Sequence, residues 1–214
     1  MERVWKVEQE NMSDKENAAE VADITQTKMC ELLAGLPTEP VLRGDALLFR
    51  PIMIEDTEQF LKWRNHEDIS RWFVYRTPIT AQAHMEWMLE HIVRERDCVQ
   101  FIVFAPETER TRYIPIGMTN IRSIDRQERS GEYGIFIGNK AVRGKGYGTE
   151  ILRVMTAYAM DVLNLKILRA RAYVDNQPSV KHFLRGGFQI VSTLKDVVST
   201  DGEIGDMYMM ELRK

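Results

Sequence analysis

Cysteine and histidine are scarce in this chain of 214 residues, which contains Cys30, Cys98 and four histidines. Two cysteines are too few for a disulfide framework or a cysteine-rich metal centre. The histidines do not show the spacing of metal ligands. The sequence therefore predicts a protein without a metal site.

Long hydrophobic runs and an excess of charge are also missing. No apolar run approaches membrane-spanning length, and the first residues lack the apolar core and cleavage site of a signal peptide. The 29 lysines and arginines nearly balance the 32 aspartates and glutamates, so the formal net charge is −3. This charge offers no global attraction to nucleic acid. We therefore expect a cytoplasmic protein with neither a membrane nor a nucleic acid as its partner.

The most informative segment that is present is a basic, glycine-rich turn directly before an amphipathic helix. Glycines can adopt positive φ and bring backbone N–H groups close to an anion, and a helix start adds unsatisfied donors and a positive dipole end. These features predict a phosphate-binding loop. It comprises Arg143, Gly144, Lys145, Gly146, Tyr147, Gly148 and Thr149.

Apolar residues at spacings of three and four predict that the following helix continues to about Leu163. Two common phosphate loops do not match the turn. A P-loop requires glycine and Ser or Thr where Asn139 and Gly146 stand, and the dinucleotide fingerprint does not fit three alternating glycines. Taken alone, the glycine cluster is also typical of a surface turn.

The flanking segments add information. Gly131–Ile137 and Ile167–Val174 are rich in β-branched, aromatic and aliphatic residues and predict two strands, one on each side of the helix. Asn176 then precedes a short predicted helix over residues 178–184, and Gly187 and Phe188 follow it.

With these segments in place, the chain resembles the GCN5-related N-acetyltransferase (GNAT) superfamily over roughly residues 46 to 214. The acetyl-coenzyme A signature of that family, Arg or Gln-x-x-Gly-x-Gly or Ala, matches Arg143, Gly146 and Gly148 in register. The family's downstream asparagine, short helix and Gly-Phe pair match Asn176 and the residues after it. The resemblance implies acetyl-coenzyme A as the cofactor, and its motifs are closest to those of the ribosomal-protein and nucleotide-amino-sugar acetyltransferases.

The sequence is expected to divide into an N-terminal extension and one domain. Residues 1–40 read as an N-terminal helical extension and linker, with a capping box at Ser13–Glu16 and a linker over Pro37–Gly44. Packing on the domain, covering the substrate cleft and joining a dimer are all open roles for it. Residues 41–214 form the predicted N-acetyltransferase domain.

The domain is predicted to be of mixed α/β (α+β) class. The resemblance implies a central twisted, mostly antiparallel sheet with a splayed strand pair, flanked by helices. Strands are expected over residues 46–54, 100–105 and 113–124. Helices are expected from Asp56, over residues 69–73, and from a Thr80 cap onward.

The resemblance also implies which residues hold the cofactor. Backbone N–H groups around Phe136 and Ile137 are expected to hold the pantetheine arm and the thioester oxygen. Asn176 is expected to hydrogen-bond the cofactor near its reactive end, although a helix N-cap explains it equally well. Phe183 is expected to pack on the pantetheine.

Glu132 heads the predicted cofactor strand and is the candidate base that takes the amine proton, directly or through water. The alternative is an exposed strand residue. Phe183 stands where the family usually places a tyrosine that protonates the leaving thiolate. Tyr173, Tyr147 or water is therefore expected to replace it, or else activity is weak.

The acceptor is expected to contact Trp63, Arg64 and Asn65. This segment resembles acetyltransferases of nucleotide-linked amino sugars, and similar patterns occur in ribosomal-protein, polyamine and aminoglycoside acetyltransferases. Trp63 could stack on a base or sugar and Arg64 could pair with phosphate. Burial of Trp63 and Ile69, with Arg64 in a structural ion pair, is the alternative.

The sequence thus predicts an acetyl-coenzyme A-dependent acyltransferase that acts on a small-molecule amine, with a nucleotide-linked amino sugar as the leading acceptor and a homodimer as a possible assembly. A degenerate module that binds coenzyme A without turnover is the alternative from another class.

Overall fold

The computed structural model describes residues 41–107 and 112–214. The predicted N-terminal extension, with its capping box and most of its linker, lies outside the described residues. Within the described chain no helix is long and apolar enough to cross a membrane.

The order of elements follows the prediction of a strand, helices, three strands, a helix, a strand, a helix and further strands. The strands are β1 (Leu42–Arg43), β2 (Leu48–Pro51), β3 (Val99–Pro106), β4 (Tyr113–Asp125), β5 (Ser130–Ile137), β6 (Ile167–Tyr173), β7 (Gln189–Val198) and β8 (Ile204–Arg213). The helices are α1 (Thr57–Arg64), α2 (Glu67–Ser70), α3 (Ala81–Met88), α4 (Tyr147–Ala157) and α5 (Gln177–Arg185). Wider π-helical turns extend α3 over Leu89–Arg94 and α4 over Tyr158–Val162.

Three boundaries differ from the sequence-based expectation. The strand expected over 46–54 ends at Pro51, because Asp56 accepts a hydrogen bond from the Met53 N–H and closes a 3-10 turn there. The helix expected over 69–73 begins earlier, at Glu67, where His66 caps the Asp68 N–H. Part of the expected linker forms β1, which pairs with β2.

The described strands form one sheet in the order β1-β2-β3-β4-β5-β6-β8-β7. Neighbouring strands are antiparallel except β5 and β6, which are parallel. A parallel pair requires a crossover connection, and α4 supplies it. The predicted mostly antiparallel sheet with flanking helices is therefore confirmed.

The parallel pair opens part-way along its length. Residue pairing between β5 and β6 runs from Ser130–Ile167 to Glu132–Arg169 and stops there. Both strands continue, β5 to Ile137 and β6 to Tyr173. The sheet is therefore splayed beyond Glu132, between two strands that remain paired on their outer sides.

Two hydrophobic cores cover the two faces of the sheet. Tyr133 belongs to the larger core, together with residues of α4 and α5, and Phe136 belongs to the other core, together with residues of α1 and α3. Side chains along a strand alternate between faces. Glu132 and Phe136 therefore point to the α1 and α3 face, which we call the acceptor face.

Candidate active site

The glycine-rich turn has the backbone conformation expected of an anion-binding loop. Gly144 has φ of 80° and Gly146 has φ of 82°, both in the left-handed region that favours glycine. A Cβ atom added at either position would meet no atom within 4 Å, so the loop borders open space. Gly146 is the N-cap of α4, whose first N–H groups have no partner within the helix.

Side chains fix this loop at both ends. Arg143 donates from Nε and Nη2 to the carbonyl of Ile137, at 3.2 and 2.9 Å, which ties the loop to the end of β5. Glu150, in the first turn of α4, accepts the N–H groups of Ala46 and Leu47 at 2.8 and 3.0 Å. The sequence did not indicate this role of Glu150. The start of α4 is thus anchored to the first part of the sheet.

The other predicted loop residues divide into exposed and packed positions. Lys145 is exposed, as its role as a free cation requires. Tyr147 packs against the larger core, and the Thr149 N–H is already bonded to the Gly146 carbonyl at 3.0 Å. The backbone N–H of Thr149 is therefore already satisfied, and its exposed hydroxyl is the group with which it could bind the cofactor.

The gap between β5 and β6 is lined by backbone groups of alternate residues. The Arg129 carbonyl accepts from Ile167 on the β6 side, and the Gly138 N–H bonds to Ile116 on the β4 side. Because backbone groups alternate along a strand, odd-numbered residues of β5 face β6 and even-numbered residues face β4. Tyr133, Ile135 and Ile137 therefore present their N–H groups to the gap. Phe136 does not, and the prediction that its N–H holds the cofactor is corrected: its backbone faces β4 and its ring lies in the core.

Glu132 lies at the point where the gap begins, and it is bound by two arginines. Its Oε1 accepts from Arg122 Nη2 at 2.8 Å and from Arg171 Nη2 at 3.0 Å. Burial alone would raise the pKa of Glu132, but the two guanidinium groups outweigh burial and hold this pKa below its usual range. Glu132 is therefore an anion at neutral pH, and its basicity is reduced.

The spacing along β5 suits a cofactor arm. Glu132 and Ile137 are five residues apart on one strand, which corresponds to about 16 Å. The glycine-rich loop, which is the candidate anion-binding loop, thus lies at one end of the gap, and Glu132 with its two arginines lies at the other.

Arg64 is buried, with 5% of its surface exposed, on the helix that faces the acceptor side of the sheet. Its Nη2 donates to the Tyr75 carbonyl and its guanidinium lies 3.8 Å from the centre of the Phe73 ring. Burial, with added repulsion from Arg122, lowers the pKa of Arg64 to about 10, although Tyr75 opposes the shift. Among the described residues its Nη1 has no hydrogen-bond partner, although this atom is buried.

The two neighbours of Arg64 have structural roles. Trp63 is a core residue whose ring lies against Gly138, where an added Cβ would come within 2.2 Å of it. Its edge also lines a cavity of about 330 Å³ beside Arg143. Asn65 exchanges two hydrogen bonds with the backbone of Ile79, at 2.8 and 2.9 Å. These contacts give Trp63 and Asn65 structural roles, and their predicted acceptor contacts stay predictions, since Trp63 also lines the cavity.

The remaining predicted residues lie beside the gap. Asn176 caps α5 by accepting the Ser179 N–H at 3.3 Å, as its alternative explanation predicted. Phe183 is 3% exposed and packs edge-on against Tyr133, with ring centres 6.0 Å apart. Tyr173 is also buried, on the acceptor face, with the Arg76 guanidinium 5.5 Å from its ring centre. Phe183 is thus a core residue next to the gap rather than a ring open to it.

Sequence reasoning missed several polar residues of the site. Asn120, Arg122 and Arg171 share the acceptor face with Glu132 through the strand register. His182 lies near the loop, 3.6 Å from the Cβ position of Gly148, and burial lowers its pKa. The available signal was a polar residue at alternate positions within apolar strands, as in Asn120 and Arg122.

Comparison with known proteins agrees with this geometry. The model of the acetyltransferase (GNAT) domain family matches residues 46–189, which is more than half of the chain. The chain belongs to the GNAT family. It is a GNAT acyltransferase, and acetyl-coenzyme A is its cofactor.

Two of three similar proteins carry names that state an acceptor, and these acceptors differ. It is 32% identical over 164 residues to the human alpha/beta-tubulin-N-acetyltransferase 9, which covers 72% of this chain and 77% of the relative. It is 25% identical over 148 residues to the acetyltransferase PseH of Campylobacter jejuni, covering 69% and 86%. A spermidine N-acetyltransferase of Vibrio cholerae, solved with CoA and spermine, shares the fold with a TM-score of 0.71 at 20% identity, covering 78% and 95%.

Proposed function

We propose that this GNAT enzyme transfers an acetyl group from acetyl-coenzyme A to the primary amine of a nucleotide-linked amino sugar. The observation that carries the proposal is the gap between β5 and β6, which connects an anion-binding loop to a polar cluster about 16 Å away. A diphosphate at one end and a thioester at the other fit these two regions.

The loop and the strand edge hold the cofactor in this proposal. Gly144 and Gly146 leave space for a diphosphate beside the first N–H groups of α4, and Lys145 adds charge. The N–H groups of Ile135 and Ile137 face the pantetheine arm. Acetyl-coenzyme A supplies the activated acyl group. The Tyr133 N–H, the first in the gap beyond Glu132, is placed to donate to the thioester oxygen as charge develops on it.

Glu132 accepts the amine proton, directly or through water. Its two arginines keep it ionised, so it is ready to accept a proton, but its lowered pKa makes it a weak base. Amines that are already partly neutral at the working pH therefore suit this enzyme best. The amino groups of sugars are less basic than those of polyamines, which favours the sugar.

The leaving thiolate departs without an acid from position 183. A thiol has a reference pKa of about 8.5, so its anion is a tolerable leaving group at neutral pH. Water, Tyr147 or Tyr173 could protonate it. Of these residues, Tyr147 is the less buried and lies on the loop itself.

The test is release of free thiol with a panel of amines, with mass spectrometry of the acetylated product. The panel comprises a nucleotide-linked amino sugar, an aminoglycoside, spermidine and a peptide with a free N-terminus. Acetylation of the sugar nucleotide at the highest kcat/KM supports the proposal. The absence of thiol release with every amine, in protein that binds coenzyme A, would favour the alternative of a binding module without turnover.

A second candidate acceptor is the amine of a protein N-terminus. The 32% identity to the alpha/beta-tubulin-N-acetyltransferase 9 favours it, because this identity is higher than that to PseH. The peptide arm of the panel tests it, and a ribosomal-protein N-terminus belongs to the same arm. A homodimer stays a prediction, and light scattering of the purified protein tests it.

A further inference from the structure

Several buried polar atoms on the acceptor face have no hydrogen-bond partner within the described chain, among them Gln100 Nε2 and Tyr173 Oη. Two others are of opposite kinds. Arg64 Nη1 is a donor on a cation, and Asn120 Oδ1 is an acceptor on a neutral amide. Leaving such a group unsatisfied costs about 1–3 kcal/mol, and more when it is charged. An unsatisfied donor and an unsatisfied acceptor on one face of the sheet are consistent with a ligand that bonds to both.

Asn120 is placed where the amine must arrive. It pairs with Gly134 across the β4–β5 ladder, and its Oδ1 lies 2.5 Å from the Cβ position of that glycine. Gly134 is the next residue on the acceptor face after Glu132, just inside the gap. An amine N–H that approaches the thioester can thus donate to Asn120 Oδ1.

Arg64 approaches the same face from α1. The Arg64 guanidinium lies over the Phe73 ring, and this ring contacts Phe136 of β5, with ring centres 6.4 Å apart. Arg122 is near enough to lower the pKa of Arg64. Among the described residues no carboxylate forms an ion pair with Arg64, and Glu132 is already bound to two guanidinium groups. The predicted structural ion pair of Arg64 is therefore not found in that part of the chain.

A buried cation is stable when an anion pairs with it. We propose that the acceptor carries a phosphate group close to its amine, that Arg64 Nη1 binds this phosphate, and that Asn120 Oδ1 receives the amine N–H. A polyamine has no anion to offer and would place a second cation beside Arg64. This inference rests on the proposed function and specifies the charge of its substrate.

The first experiment compares kcat/KM for glucosamine, glucosamine 6-phosphate, UDP-glucosamine and spermidine. The phosphorylated amines should exceed glucosamine by about 10-fold or more, with spermidine lowest, because a hydrogen bond to a charged group contributes about 1.5–3 kcal/mol. In Arg64→Met this ratio between phosphorylated and neutral amines should fall toward one. In Asn120→Ala kcat/KM should fall by a similar factor for every amine, so the ratio between phosphorylated and neutral amines should stay unchanged.

The control is Arg153→Met, because Arg153 is an exposed arginine on α4 that pairs with Asp45 at 2.8 Å, away from the acceptor face. It should leave the ratio unchanged. Preference for spermidine, an unchanged ratio in Arg64→Met, or preference for an acidic peptide over every sugar phosphate would overturn the inference.

A binding measurement covers the case in which Arg64→Met does not fold. Calorimetric titration of UDP into wild-type protein saturated with coenzyme A reports on the acceptor cleft, because the cofactor then occupies the anion-binding loop. One UDP should bind per chain, more weakly at high salt. The absence of binding would refute the phosphate site. Binding of UDP without acetylation of any amine would instead refute the proposed function and leave the phosphate site supported.

Discussion

The anion-binding loop and the acceptor-face cluster are built in different ways. The loop is made by seven consecutive residues, 143–149, and acts mainly through its backbone. The cluster is made by side chains from four separate elements: Arg64 on α1, Asn120 and Arg122 on β4, Glu132 on β5 and Arg171 on β6. The first kind of site is local in sequence, whereas the second exists only after the sheet has formed.

This difference explains what each site can tolerate. A backbone site depends on φ angles and on space, so most side chains around it can vary as long as the glycines stay. A side-chain site depends on strand register, because a shift of one residue would turn Arg122 and Glu132 to the opposite face. We therefore expect the loop to bind the cofactor shared by the family and, under the proposal above, the cluster to select the acceptor.

The largest expected effect is that of Glu132→Gln, which breaks the cluster but leaves the loop intact. Turnover should fall by about 10²-fold or more near neutral pH, because a positioned base contributes about 10²- to 10⁴-fold. The loss should diminish at high pH, where more of the amine is free. Steady-state kinetics from pH 6 to 10 provide the measurement, and Glu128→Gln, on an exposed carboxylate before β5, is the control. A rate and pH profile equal to wild type would remove Glu132 from the mechanism.

The acceptor side should also be the more acid-sensitive of the two regions. His84 on α3 is buried against Phe60, with ring centres 4.2 Å apart, and burial lowers its pKa from 6.5 to about 4. The unfolded chain therefore binds a proton between pH 6.5 and 4 that the folded chain does not, so stability falls as pH falls through this window.

The free energy of unfolding should lose about 3 kcal/mol by the lower end of that window. His84→Gln should flatten this dependence, and His66→Asn, at a half-exposed position, should not. Urea unfolding between pH 4 and 7 measures both. An equally steep pH dependence in His84→Gln would show that other groups cause the acid sensitivity.

Gly146→Val tests the loop without touching the cluster. Valine is strained at φ of 82° and should displace the backbone N–H groups that face the diphosphate. Calorimetry should show coenzyme A affinity reduced by about 10- to 100-fold, the loss of one or two charge-assisted hydrogen bonds. Gly202→Val is the matched control, because Gly202 has φ of 87° and equally open surroundings in the β7–β8 turn. If both variants bound coenzyme A like wild type, the cofactor would not lie on this loop.

The smallest effect is expected from Phe183→Tyr, which lies between the two regions. The ring is enclosed by Tyr133 and Phe188, so the new hydroxyl should cost about 1 kcal/mol of stability unless it reaches the gap. Turnover should rise if the hydroxyl protonates the leaving thiolate and stay unchanged if another group already does so. Thermal unfolding, cofactor titration and kinetics on the same sample separate these outcomes. Loss of cofactor binding in a folded variant would mean that the motif is misaligned at this position.

Sequence predicted most of the fold and the conformation of the glycine-rich loop, whose role in cofactor binding stays a prediction. Strands and helices from residue 46 onward have the predicted order, because apolar periodicity and caps such as Thr80 act locally. The loop was found for the same reason. Asn120, Arg122 and Arg171 were missed because their proximity to Glu132 depends on pairing between strands that are distant in sequence.

Trp63 and Asn65 show a second limit of prediction from sequence. Trp63 and Asn65 have the side chains of a binding site, yet one fills the space over Gly138 and the other holds the backbone of Ile79. Residue type does not distinguish a ligand contact from an anchor. Phe136 was assigned to the gap because the sequence predicted the strand but not which of its residues face β6. The N–H groups of successive residues in a strand point to opposite neighbouring strands, so an error of one residue reverses the assignment.

The interrupted pairing of β5 and β6 leads us to expect that cofactor supply changes the stability of the protein. In the proposed binding mode the cofactor arm occupies the part of the gap where β5 and β6 are not paired, so it would bind only the folded chain. A ligand present at a hundred times its dissociation constant adds about 2.7 kcal/mol to the stability of the folded chain. Without acetyl-coenzyme A the chain would lack this added stability, so we expect the cofactor-free protein to be cleaved faster by proteases than the cofactor-bound protein.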